Sequence, residues 1–322
     1  MSTDTPSPLS AELSKKHEAL KEHLIKLGAV AVAFSGGVDS TLLLNVAADV
    51  LGDNAVAITA RAQMIPAREI REASDFCAKR GIRHVVMNVD ALTIPGFADN
   101  PTDRCYLCKS ALFARIMDQA ARLGIPYVAE GTNTSDLGDY RPGLKALGEL
   151  KVDSPLLAAG LSKADVRALS RMLGLPTWDK PSYACLASRI PYNEAITAEK
   201  LRSVEHAEDA LMDAGFPQIR CRAHGDLARI EVASDQRAAL MDALISTDLT
   251  ERIHDAGFAY VTVDADGYRT GSLNQNVSEL ANGDDGITQT VRQHHASAAT
   301  FCAAQAVAAA NAMQPLSPLP AP

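Results

Sequence analysis

The 322-residue chain is short of aromatic residues, 5% of the whole with a single tryptophan, and has no apolar run near the ~20 residues of a membrane span. Residues 1–16 are polar, with Pro and Ser, and lack the apolar stretch of a secretory leader. The expectation is a cytoplasmic protein with no membrane partner. Positive charge is scarce as well: 31 Lys and Arg stand against 39 Asp and Glu, a net charge of −8. Such a chain has no global attraction for nucleic acid, and a polyanion would need a local basic patch. A small-molecule substrate is therefore expected, with no nucleic acid. Cysteines number six, at 77, 105, 108, 185, 221 and 302. In a long cytosolic chain a close CxxC pair more often binds metal or does redox work than forms a disulfide.

What is present is a sizeable core, with 47% hydrophobic residues, in a length that suits one large and one smaller domain. Short apolar runs alternate with helical patterns over the first two thirds. Strands are expected at 29–34, 55–59, 84–89 and 127–131, and helices at 41–51, 66–80, 107–123 and 162–173. Residues 29–34 are nearly all apolar, as in a parallel strand buried on both faces. Ser162 is placed as a helix N-cap with Asp165 in the first turn. This order implies an α/β fold with a doubly wound parallel sheet, whose ligands sit at the carboxyl ends of the strands. Beyond residue 193 the character changes to a smaller α+β region. The expected organisation is a stub at 1–17, the α/β domain at 18–193, the α+β domain at 194–281 and a weakly ordered tail at 282–322.

Residues 35–40 read SGGVDS, directly after the first strand and before a helix. Gly36 and Gly37 accept backbone angles closed to other residues. Successive N–H groups there can form an anion nest at the helix N-terminus. Ser35, Ser40 and Thr41 add hydroxyls. Asp39 is the unusual member, because a carboxylate beside phosphate needs a cation between them, and Mg²⁺ fits that need. The loop is neither GxxxxGK[ST] nor GxGxxG. A Gly-Gly turn alone is ordinary, but all six residues in this setting resemble the PP-loop of ATP pyrophosphatases. The rest of an ATP site is expected at other strand ends: Thr59, Ala60 and Arg61 after the second strand, and Gly131, Thr132, Asn133 and Asp136 after the fourth. Those residue types also favour ordinary turns.

Cys105 and Cys108 lie in NPTDRCYLCK, flanked by Arg104 and Lys109, which favour the thiolate. Cys185 lies in KPSYACLASRIPY. Both segments sit at the mouth of the sheet, so three sulfurs can converge above the nucleotide. Structural zinc wants four ligands, and no fourth stands out. A 4Fe–4S cluster on three thiolates keeps one iron open for an extra sulfide. A zinc knuckle or an incidental thiol pair remains the plainer alternative. Cys77 shares an apolar helix face with Ile70 and Ala73, and it and Cys221 read as core. In the smaller domain, residues 218–224 alternate, with Arg220, Arg222 and His224 on one face. Two arginines there can grip a phosphate or carboxylate, or simply form a solvated face.

The runs AFSGGVDSTLLL, NPTDRCYLCK, EGTNTSDLGDYRPG, KPSYACLASRIPY, HGDLARIEV and GYRTGSLN together resemble the LarE family, ATP-dependent sulfur transferases of nickel-pincer nucleotide synthesis. The resemblance covers about residues 20 to 275 and is far more specific than the PP-loop alone. It implies that ATP adenylates the carboxylates of pyridinium-3,5-biscarboxylic acid mononucleotide, releasing pyrophosphate. Sulfur then displaces AMP to leave thiocarboxylates, and the product later receives nickel and serves lactate racemase. It implies nucleotide binding by Ser35, Gly36, Gly37, Asp39, Ser40, Thr59, Gly131 and Thr132, with Mg²⁺ on Asp39. Substrate contacts are implied at Ser188, Arg189, Glu208, Arg220 and Arg222. Some members sacrifice one cysteine, matching Cys185 here; others also carry the CxxC and hold a 4Fe–4S cluster. With Cys105, Cys108 and Cys185 all present, the cluster route is favoured. Homo-oligomers, often hexamers, are implied too. The competing readings are another PP-loop enzyme (an amidating synthetase or a tRNA-thiolating enzyme), a nucleotide-binding module without chemistry, and a zinc staple.

Overall fold

The computed structural model describes residues 10–138 and 142–269. Cys302, the tail from 282 and the TGSLN end of the last motif lie outside the described residues. The first helix, α1 (Ala11–Leu27), starts within the segment set aside as a stub. Ser10 caps it by accepting from the Leu13 N–H, and Leu13, Leu20, Leu24 and Leu27 are buried. The α/β region follows as β1 (Val30–Ala33), α2 (Val38–Leu51), β2 (Ala55–Arg61), α3 (Ala67–Arg80), β3 (Arg83–Asn88), α4 (Arg104–Arg122), β4 (Val128–Ala129), α5 (Pro142–Glu149), α6 (Pro155–Ala158) and α7 (Lys163–Met172).

The four strands are parallel in the order β3-β2-β1-β4. Alternation along the strands feeds two cores. Val30, Val32, Ala55 and Ala57 join residues of α1, α2, α3 and α7 on one face. Ala31, Val56 and Ile58 meet Phe113 and Ile116 of α4 on the other. Helices therefore cover both faces, as the all-apolar strands require. The order reverses at β1, with β2 and β3 on one side and β4 on the other. A crevice opens at that switch point, at the carboxyl ends of β1 and β4.

Two helices begin earlier than their apolar periods indicate: α2 at Val38 instead of 41, and α4 at Arg104 instead of 107. Cys105 and Cys108 thus stand in the opening turns of α4. The apolar period starts late because those opening turns face the crevice.

The second region contains α8 (Ala198–Asp213), β5 (Ile219–His224), β6 (Leu227–Val232), α9 (Arg237–Ser246), α10 (Leu249–Asp255) and β7 (Tyr260–Val263). Its sheet runs β5-β6-β7, antiparallel then parallel. Its core is not drawn from residues beyond 193 alone: Met64, Val89, Ile94, Phe97, Leu186 and Ile190 are packed with Val204, Leu211 and Ile230. The irregular stretch between β3 and α4 is therefore built into this second core. No helix among the described residues is long and apolar enough to cross a membrane.

Candidate active site

The SGGVDS loop lies at the carboxyl end of β1. Gly36 has φ +69°, the left-handed region, and a Cβ there would lie 3.4 Å from the Ala73 Cβ and 3.5 Å from the Glu69 carbonyl oxygen. Gly37 is the N-cap of α2 and provides no side-chain cap. The first N–H groups of α2 are thus left for an anion. The Ser35 and Ser40 hydroxyls lie 3.1 Å apart, and Ser40 Oγ donates to the Gly37 carbonyl at 3.2 Å, which fixes the loop's shape. Gly131, at the end of β4, approaches closely: a Cβ would sit 3.0 Å from both the Asp39 Cβ and the Ser40 nitrogen.

Asp39 is held from two directions. Asn133 Nδ2 donates to Oδ1 at 3.1 Å, and the Lys163 ammonium is in short contact with Oδ2. Lys180 Nζ reaches the same loop, donating to the Gly36 carbonyl at 3.0 Å and pairing with Glu72 at 2.6 Å. The loop contains no lysine, yet the fold supplies two.

The hydroxyls of Thr59 and Thr132 are committed to the framework. Thr59 Oγ1 donates to the Phe34 carbonyl at 2.7 Å, so His84 Nε2, at 2.8 Å, is the donor to it. Burial lowers the His84 pKa, consistent with a neutral ring. Thr132 donates through both N–H and Oγ1 to Glu130, which also accepts from Ser154. This network shapes the turn that carries Gly131.

Cys105 and Cys185 are exposed and Cys108 is half-buried, whereas Cys77 and Cys221 are core residues. The three site thiols are mutually coupled: Cys105 and Cys185 raise Cys108, and Cys105 raises Cys185. Cys185 reaches solvent yet has dense protein around it. That crowding is the main cause pushing its thiol up to about 11, and burial pushes Cys108 up to about 12. Among the described residues, no three His, Cys, Asp or Glu side chains are arranged at metal-holding distance. Asn100 joins the two cysteine segments. Its Nδ2 donates to the Pro191 carbonyl at 2.7 Å, its carbonyl accepts from Asn193, and its Oδ1 accepts from the Arg104 guanidinium. Arg104 is 2% exposed, stacks on Tyr192 at 4.4 Å, and has no carboxylate partner among the described residues.

Arg189 is 1% exposed and forms a fork with Glu208, at 2.7 and 2.9 Å. Its remaining nitrogen donates to the Ala184 carbonyl at 2.7 Å and to Ser188 Oγ at 2.9 Å. This ion pair therefore clamps the turn that bears Cys185. Arg222 is likewise forked to Glu231 at 3.0 Å and donates to the Ser188 carbonyl at 2.7 Å. Of the two readings left open for this face of β5, the solvated one does not hold: the face is interior at Arg220 and Arg222, and exposed only at His224. Arg220 differs from its neighbours: it donates to the Ile219 and Ser182 carbonyls and stacks on Tyr268, with no carboxylate partner among the described residues.

Lys163 and Glu69 carry no motif signal in the sequence, and Lys180 opens the KPSYACLASRIPY run without a role having been read for it. Lys163 had one clue, because a cation at the first position of a helix opposes the dipole and so signals another purpose. Glu69 stands on the α3 wall beside Gly36. Burial pushes its carboxyl up to about 7, despite its place in the first turn of α3.

An SGGVDS loop at the switch point of such a sheet, with an acidic residue entering the helix, defines the PP-loop ATP pyrophosphatases, and the chain is an ATP-using enzyme of that class. No family model matches it. A Synechocystis protein of uncharacterised function is 43% identical over 82% of this chain and 98% of its own. The pyridinium-3,5-bisthiocarboxylic acid mononucleotide synthase of Lactiplantibacillus plantarum is 38% identical over 84% of this chain and 97% of its own. The tRNA-specific 2-thiouridylase MnmA of Azorhizobium caulinodans is 30% identical over 54% of each chain. The chain belongs to the LarE family, that of the Lactiplantibacillus synthase.

Proposed function

We propose that the enzyme adenylates the carboxylates of pyridinium-3,5-biscarboxylic acid mononucleotide and replaces AMP with sulfur. A substrate carboxylate oxygen attacks the α-phosphorus of ATP, and pyrophosphate leaves. The sulfur nucleophile then adds to the acyl carbon and AMP departs with the bonding pair, leaving a thiocarboxyl group. The cycle repeats on the second carboxylate.

The observation that carries this reading is the strap between sulfur and nucleotide. Lys180 is bonded to the phosphate loop, and five residues later Cys185 sits on a turn clamped by Arg189. In this reading the α2 N-terminus, Lys163 and Lys180 neutralise the departing pyrophosphate, as donors aimed at developing charge. Asp39 holds Mg²⁺, with Lys163 as its counter-ion until the metal arrives.

For the sulfur source, three thiols on two neighbouring segments, Cys105, Cys108 and Cys185, have the donor chemistry for an anionic 4Fe–4S cluster, although they do not stand at metal-holding distance in the chain without it. The thiols are mutually coupled, and the buried Arg104 beside them has no carboxylate to balance it. Such a cluster, when bound, supplies an open iron position for a transferable sulfide. Iron and labile sulfide are measured on protein purified without oxygen. Cluster stoichiometry, lost in Cys108→Ala, supports this source. Iron absent after reconstitution transfers the role to the Cys185 sulfur itself, consumed once per chain. AMP formation that depends on added RNA would instead favour a tRNA-thiolating enzyme.

A further inference from the structure

Besides Arg104 at the cysteines, counting ion pairs between the phosphate loop and the Cys185 turn leaves two charges over. Lys180 is taken by Glu72, Arg189 by Glu208, Arg222 by Glu231, and Arg68 by Asp209 and Asp213. The Glu69 carboxylate has no hydrogen bond or ion pair among the described residues. Arg220, 4% exposed, has carbonyls and a phenol around it but no carboxylate. The two are not paired with each other, yet both act on Tyr183, whose hydroxyl donates to the Pro217 carbonyl. Glu69 belongs to the α3 wall beside the phosphate loop, and Arg220 to the β5 wall.

A buried charge without a counter-ion is costly, and a protein keeps one where a ligand supplies the opposite charge. Arg220 is such a charge and Glu69, half-buried, is a milder one of opposite sign; both lie near enough to Tyr183 to act on it, so one ligand with a cationic and an anionic end can meet both. Burial has already pushed the Glu69 carboxyl up to about 7, against the lowering effect of Lys180 and Arg189 and with Glu72 and Glu208 adding to the rise. An incoming cation relieves that penalty.

Resting on the function proposed above, we infer that Glu69 is the counter-ion of the pyridinium ring and selects a cationic ring over a neutral one, while Arg220 takes an anionic group of the same substrate. Glu69 is thus a specificity residue, with no part in bond making.

The test compares two ligands on wild type and Glu69→Gln: pyridinium-3,5-dicarboxylate mononucleotide, and its neutral counterpart with a ring carbon in place of nitrogen. Dissociation constants and the KM for AMP formation are read for each, with ATP binding and circular dichroism confirming a folded variant. Wild type should prefer the cationic ring, and Glu69→Gln should shrink that preference by about tenfold or more. The loss should fall on the cationic ligand's KM while the neutral ligand is unaffected. Equal preference in the two proteins overturns the inference and leaves the functional reading standing. Wild-type enzyme that binds and adenylates neither ligand overturns the functional reading, and the inference with it. Should Glu69→Gln not fold, Glu69→Asp serves instead: it should keep the sign of the preference at reduced size, and an unchanged preference overturns the inference.

Discussion

In the proposed mechanism Asp39 places a carboxylate beside the triphosphate, and its neighbours show how the free protein tolerates it. Lys163 and Asn133 hold both of its oxygens. Asp39→Ala is expected to abolish ATP–pyrophosphate exchange, and full AMP production by that variant would falsify the assignment. Glu69 gives a pH-dependent expectation. Its folded pKa, about 7, lies above the ordinary carboxylate value of 4.5, so the folded state binds a proton more tightly than the unfolded chain. The stability tied to that proton is complete below about pH 4.5 and lost as pH rises through about 7. Glu69→Gln stays neutral throughout. It should match wild type at about pH 4 and exceed it by roughly 1–3 kcal/mol at about pH 8. Urea unfolding of the ligand-free protein at both pH values checks this, and a gain of the same size at both would mean that the carboxylate is already compensated.

At the scale of elements, the site is made where loop, strand end and clamp meet. Gly131 lets the end of β4 rest against the first turn of α2. A methyl group there meets backbone and the Asp39 Cβ at 3.0 Å, so neither neighbour yields easily. Gly131→Ala should cost about 1–3 kcal/mol and raise the KM for ATP, read by thermal denaturation and exchange kinetics. The Arg189–Glu208 fork is a buried pair whose separation leaves an uncompensated charge. Glu208→Gln should destabilise the fold by about 3–5 kcal/mol and release the Cys185 turn. Cys185→Ala, which leaves that fork intact, should retain adenylation and lose thiocarboxylate formation. Thiocarboxylate from that variant would show that Cys185 is dispensable.

Across the whole molecule, the two sheets are joined by shared core and by strap. Phe97, from the stretch between β3 and α4, is 1% exposed within the core of the second sheet. Phe97→Ala should cost about 3–5 kcal/mol and lower the stability of both regions together, seen as one shifted transition by near- and far-ultraviolet circular dichroism. Two separate transitions would mean that the regions unfold independently. Coupling across the molecule also runs through Lys180, which ties the cysteine-bearing segment to Gly36 and to Glu72 of α3. Lys180→Met should slow ATP–pyrophosphate exchange as well as sulfur transfer, because a donor to the leaving group is lost and the Cys185 strap is loosened together; exchange at the wild-type rate would mean that Lys180 serves the strap alone.

Local pattern carried much of this protein in its sequence. The all-apolar strand before SGGVDS, the helix after it and the alternating runs that follow specify a parallel α/β sheet, because period and turn chemistry act over a few residues. The motif strings likewise specify the family, since Cys105, Cys108 and Cys185 stand in fixed contexts. Pairing over long range was decided only by the tertiary structure. Lys163 lies 124 residues from Asp39 and Lys180 lies 144 from Gly36, and neither has a sequence pattern that points to the other. The alternation in β5 correctly placed Arg220 and Arg222 on one face. Whether that face met water depended on Glu231, Tyr268 and the Cys185 turn, which only folding brings to it. Residues 11–17 of the expected stub open a docked helix for the same reason: the leucines of α1 gain partners only once α2, α6 and α7 surround them. Charge balance is the last of these non-local properties. That Glu69, Arg104 and Arg220 are left over follows from how the neighbouring ion pairs close, and no single segment of the chain contains that sum.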